Sequence, residues 1–207
     1  MSIKNINIDC PHCQRRYNLS PEEAVDWHDN HIPECRTKQA AGRIGLGEFF
    51  SLLIGGLKVK ARERFKLTGQ VFMVLRDRWG QAIDARLDAN LITTAGIGHI
   101  VDRIQVVTST PTIMDYQAIG TSSTAAAITD TALVAENARG QGTLSQPTAA
   151  TDRLVTTFAA GVGTGAITET GRLNAAAAGV LMARQVFSVV NKAAGDSLQV
   201  THDITVS

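Results

Sequence analysis

Every cysteine of this chain lies within its first 35 residues: Cys10, Cys13 and Cys35, with His28 and His31 just ahead of the last. Cys10-Pro-His-Cys13 supplies two thiolates on one tight turn, and His31-x3-Cys35 supplies a second pair about one helical turn apart. Thiolate sulfur and imidazole nitrogen suit Zn(II), and four protein ligands close its tetrahedral shell, so the spacing predicts a structural Zn2+ site with no position left for water. The expected ligands are Cys10, Cys13, His31 and Cys35, with His28 as the alternative third ligand. Three closely spaced cysteines make a poor disulfide framework, which points to a reducing compartment. Residues 1–36 are therefore expected to form a small metal-held module, and everything after them must fold without cysteine.

Within that module Ile3, Ile6 and Ile8 lead into the Cys10–Cys13 turn, and Leu19-Ser20-Pro21-Glu22-Glu23 reads as a helix start. Ser20 is a good N-cap, Pro21 fits the first helical position, and Glu23 stands where a capping-box carboxylate belongs. Tyr17 and Val25 are the expected core beside the metal, and Pro33 ends the helix. Residues 8–36 resemble a zinc finger of the Cys-Cys-His-Cys type, with a longer gap between Cys13 and His31 than the common finger pattern. Nucleic acid is not the expected partner. The helix carries Glu22, Glu23, Asp26 and Asp29 without a Lys or Arg among them, the reverse of the charge that phosphates attract.

Residues 37–66 read as a connector. Its Gly-rich start leads into Glu48–Leu57 (EFFSLLIGGL), a short apolar docking segment that Gly55 and Gly56 interrupt and that is too short to span a bilayer. Lys58, Lys60, Arg62, Arg64 and Lys66 then occupy alternate positions, which an extended strand would gather on one face. This stripe is either a solvated strand face or a strip that lies on an acidic protein surface. The opening MSIKNINID lacks the apolar run of a signal peptide, and the charges nearly cancel, 20 basic against 19 acidic, so neither membrane nor nucleic acid is expected from them.

Residues 67–207 are expected to form the main domain. Val71–Leu75 is β-rich, Arg78-Trp79-Gly80-Gln81 makes a turn, and Ala82–Leu91 returns. Ile97, Ile100, Val101 and Ile104 recur at helical spacing, so a helix is expected over 94–104. Further strands are expected at 112–119, 152–159, 165–169, 180–190 and 197–206. The long polar stretch 120–151 reads as an extended loop reaching a neighbour. In the last strand Leu198, Val200, Ile204 and Val206 share one parity, as in a half-buried antiparallel strand. The predicted fold is mainly β: an antiparallel, jelly-roll-like β-sandwich preceded by the zinc-bound finger. With few aromatic residues, its core is built from small and β-branched side chains, and help from homo-oligomer contacts is expected.

The segments NLITTAGIGHIVDRI, AIGTSSTAAAITDTAL, TFAAGVGTGAITETGRLNAA and ARQVFSVVNKAAGDSLQVTHDITVS resemble phrases that recur in virion structural proteins of tailed bacteriophages, over roughly residues 65–207. The resemblance implies a β-rich particle protein, foremost a capsid decoration (cement) protein, with a neck, baseplate or tail-fibre attachment protein as the alternative. Its implied partners are phage capsid or tail proteins, and its location is the virion, assembled in the host cytoplasm. A zinc-finger regulator that binds nucleic acid is the third reading. No enzyme is expected. GVGTGA at 161–166 and RGQGT at 139–143 lack the Lys-Ser/Thr of a phosphate loop, and His99 and His202 have no G-x-S-x-G partner. Asp77, Asp84, Asp88 and Asp102 share no spacing that commends a carboxylate pair.

Overall fold

A computed structural model of the chain describes residues 6–9, 15–20, 22–24, 66–105 and 112–207. Strands β1 (Ile6–Asp9) and β2 (Arg16–Leu19) form an antiparallel hairpin. β3 (Leu67–Arg76), β4 (Ala82–Ile92), the helix α1 (Thr94–Gln105), β5 (Tyr116–Gly120), β6 (Glu136–Gln141), β7 (Thr143–Thr148), β8 (Thr151–Phe158), β9 (Gly165–Leu173), β10 (Leu181–Lys192) and β11 (Ser197–Val206) follow. The last nine strands make one antiparallel sheet in the order β6-β5-β9-β10-β4-β3-β11-β8-β7.

The mainly β, antiparallel architecture expected from the sequence is what the chain adopts. Its two layers are flanks of one curled sheet, joined where β10 meets β4 through only Ala183↔Ile92 and Arg184↔Leu91. Val71, Met73 and Leu75 of β3, Leu198 and Val200 of β11, and Phe158 of β8 face Ile119 of β5, Ile167 of β9 and Phe187 and Val190 of β10 across the main core. Burying each such side chain contributes about 1.5–3 kcal/mol, so the curl is where the apolar residues of both flanks are satisfied together. β11 lies in the middle of its flank, between β3 and β8. Its residues from Val200 to Ile204 are accordingly buried on both faces, more than alternation alone foretells.

The β3–β4 turn shows local sequence dictating backbone. The Asp77 carboxylate accepts from the amides of Trp79 (2.9 Å) and Gln81 (3.0 Å), and Gly80 supplies the positive φ of 83° that closes the turn. At the other end of the same ladder, Lys66 and Ser207 exchange both backbone hydrogen bonds (2.7 and 2.9 Å).

Residues 120–151 differ from the expected loop. They hold β6 and β7, the two edges of the sheet, separated only by Gly142. ENARGQ and TLSQPT carry almost no apolar periodicity, because an edge strand lying mostly in solvent has little to bury. The chain thus crosses directly from one edge of the curl to the other. Gly142 makes the crossing against β8: a Cβ there would sit 2.2 Å from Thr156 Oγ1 and 2.6 Å from the Val155 carbonyl oxygen. The segment before β6 folds over the outer side of β5 and β9, where Leu133 joins Ala118, Leu173 and Leu181. The strand expected from 112 starts at Tyr116.

The described residues around Tyr17, Leu19 and Ala24 rest on the sheet as well. The capping box forms as the sequence foretells: the Ser20 amide donates to Glu23 Oε2 (2.8 Å) and the Glu23 amide to Ser20 Oγ (3.3 Å). Residues 22–24 are helical. Ala24 is buried with Phe72, Val74, Ala82 and Ala85, and Tyr17 and Leu19 pack on that cluster. Tyr17, expected in a core of the finger's own, thus covers the outer face of β3–β4; Val25 lies outside the described residues. Glu22 Oε1 accepts from the Ala82 amide at 2.9 Å and lies 3.5 Å from Arg76 Nη1, so residues 22–24 are tied to the β3–β4 hairpin.

Candidate functional site

The hairpin pairs Ile6↔Leu19 through Asp9↔Arg16, so Cys10 is the residue after β1 and residues 10–15 join the two strands. Cys10, Cys13, His28, His31 and Cys35 all lie outside the described residues, as do Lys58, Lys60, Arg62 and Arg64. Lys66 is described and exposed, one residue ahead of β3. Among the described residues no group of three or more His, Cys, Asp or Glu side chains is placed to hold a metal, and no helix is long and apolar enough to cross a membrane.

Charged side chains that sequence reading passed over turn out to be buried. Arg184 and Glu169 are both fully enclosed. Arg184 donates to Glu169 Oε2 (2.9 Å), Asp130 Oδ2 (2.9 Å) and the Thr124 carbonyl oxygen (2.9 Å). Glu169 also accepts from the amides of Ala135 (2.7 Å) and Val134 (3.2 Å). The Asp130 carboxyl is held below its ordinary value, first by the Ala127 amide and then by Arg184. Two strand residues thereby clamp the 121–135 segment onto the sheet from within the same chain. Nothing in TETGRL or LMARQV marks Glu169 or Arg184 as internal except the apolar residues around them.

A second group of charged residues lies along β8, β9 and β11. Arg172 Nε donates to the Met114 carbonyl oxygen (2.7 Å) and its Nη2 to Asp152 (2.6 Å), while Arg153 grips Asp203 with two bonds of 2.8 and 3.0 Å. His202, fully buried, contacts the Asn90 amide group. Burial, and then the Arg172 cation, push the His202 imidazole well below its ordinary 6.5, so it is neutral in the fold. The unfolded chain takes up a proton near 6.5 while the folded chain does not, so this group's stabilisation is present above that pH and lost as pH falls below it. The slope is at most about 1.4 kcal/mol per pH unit. Urea unfolding of the protein and of His202→Gln between about pH 7 and pH 5 should show the steeper loss in the protein itself. Equal slopes would remove His202 as the cause. His99 is also depressed, by burial and then Arg103, and contributes equally to both curves.

Arg184 and Arg153 are paired with carboxylates, and Arg172 with Asp152 and the Met114 carbonyl, while Arg172 Nη1 and His202 Nδ1 are buried without a hydrogen-bond partner among the described residues. The outside offers more. Trp79, at the tip of β3–β4, is 78% exposed, with the Arg78 guanidinium 5.2 Å from its ring centre. On α1, Ile97, Val101 and Ile104 face solvent. The described residues thus define an antiparallel curled-sheet protein with ion pairs buried in the fold and an exposed tryptophan at the β3–β4 tip. No known protein family, curated protein or solved structure matches the chain.

Proposed function

We propose that the chain is a non-enzymatic structural component of a tailed-phage virion, foremost a capsid decoration protein that docks on and bridges capsid subunits as a homo-oligomer. The phage setting rests on the resemblance of residues 65–207 to virion phrases. In this reading the two flanks of the sheet serve as a jelly-roll-like sandwich, and the protein resides in the particle after assembly in the host cytoplasm. The observation that carries the binding role is the β3–β4 tip. An exposed Trp beside a stacked Arg is the pair of residue types that most often anchors a protein interface. Trp79→Ala should leave thermal stability within about 0.5 kcal/mol, since the ring is mostly in water, yet weaken attachment to purified particles about tenfold or more. Undiminished attachment would reject the tip as the anchor.

The finger is proposed to hold Zn2+ through Cys10, Cys13, His31 and Cys35, with His28 as the alternative. Support comes from the framework around the ligands: a hairpin that C-x2-C joins, followed by a capped helix start. Cys10→Ser should lower zinc content below about one ion per chain and, because Tyr17 and Ala24 cover Phe72 and Val74, loosen the outer face of β3–β4 too. The basic stripe Lys58, Lys60, Arg62, Arg64 and Lys66 is proposed to lie on an acidic partner surface.

Cryo-electron microscopy of purified virions tests the setting. Density repeated over the shell, on the order of hundreds of copies, supports decoration, whereas a ring of about a dozen or fewer moves the protein to the neck, baseplate or fibre attachment. Absence from the particle, with DNA binding that weakens steeply with salt, would replace both by the regulator.

A further inference from the structure

The helix α1 carries a broad apolar stripe, and among the described residues only its Ile100 edge is packed. Ile100 packs with Met114, Met182, Ala183 and Ile204. Ile97 (48% exposed), Val101 (41%) and Ile104 (80%) form a second row at i, i+4 and i+7, along the outside. Such a row on a helix is a candidate docking surface.

We infer that the apolar segment Phe49–Leu57 of the same chain docks on this outer row of α1. Leu67, where the chain enters the sheet, belongs to the same cluster as Ile100, so the connector arrives at the seat of α1. Nine residues, 58–66, separate Leu57 from that point. Extended, they reach about 30 Å, while a helix of α1's length spans about 18 Å, so the whole row is within range. Phe49, Leu53 and Leu57, with Phe50 and Ile54 beside them, repeat at helical spacing and supply the complementary apolar face. Tethering by so short a connector gives this segment a local concentration in the millimolar range, which a free partner does not approach. The inference does not depend on the virion setting.

A double-mutant cycle in the full-length protein tests it, with Phe50→Ala, Ile104→Ser and the pair, followed by thermal unfolding and by sedimentation over a wide dilution range. Each single change should lower Tm by about 3–6 °C, and the pair by little more than the larger single change. Phe50→Ala should also speed hydrogen exchange of the α1 amides in native protein. Should Phe50→Ala not fold, Phe50→Leu carries the same cycle. Effects that add, or no effect of either change, overturn the contact. Coupling that disappears on dilution together with a dimer assigns the row to a second copy and likewise overturns it.

Discussion

Arg184→Met should cost about 3–5 kcal/mol and lower Tm by roughly 10 °C, because it strands the fully buried Glu169 carboxylate without its cation. A surface ion pair would contribute less than about 1 kcal/mol, so the size of the loss distinguishes the enclosed geometry from an exposed one. The loss also has a place. Asp130 and the carbonyls of Thr124 and Ala125 would give up the guanidinium together, so amides of residues 121–135 should exchange faster while those of β3 and β11 keep their order of protection. Replacing both Arg184 and Glu169 by apolar residues would not restore full stability, since the amides of Val134 and Ala135 would lose their acceptor. A Tm change of a degree or less for Arg184→Met would refute the clamp.

Two glycines of α1 should respond to alanine with opposite signs. In a helix interior Gly→Ala ordinarily stabilises by about 0.8–1 kcal/mol. Gly98 has nothing within 4 Å of the position its Cβ would take, so Gly98→Ala should show that gain. At Gly96 the new Cβ would lie 2.3 Å from the Met182 carbonyl oxygen and 2.8 Å from its Cα, backbone atoms of β10 that cannot swing aside. Lifting the helix off β10 is expected to cost about 1–3 kcal/mol, enough to outweigh the propensity gain. Chemical denaturation of both variants measures the difference; a stabilised Gly96→Ala would mean that α1 is not seated on β10 as described.

Much of this architecture was legible in the residues. The β3–β4 turn announced itself through Asp77 and Gly80, the capping box through Ser20 and Glu23, and α1 through its apolar spacing. What spacing could not tell is direction: of the four apolar positions in α1, only Ile100 turns toward the sheet. β6 and β7 escaped because edge strands bury little and so carry little pattern. Arg172, Arg184 and Glu169 escaped for a different reason. A charged letter reads as surface until its partners are known, and those partners lie 15 to 60 residues away. The spacing of Cys10, Cys13, His31 and Cys35 was the clearest chemical signal in the sequence, and these positions lie outside the described residues.

The exchange of hydrogen bonds between Lys66 and Ser207 carries a mechanical consequence. β3 and β11 run antiparallel from Leu67↔Val206 to Arg76↔Ser197, so entry to and exit from the sheet lie side by side at one end of the ladder. Tension applied between these two points would open the ladder like a zip, loading one pair at a time. A load shared along the length of a strand would strain many bonds at once. A sheet built this way resists force best when it is gripped through its faces and hairpin tips, with the paired ends of β3 and β11 left slack.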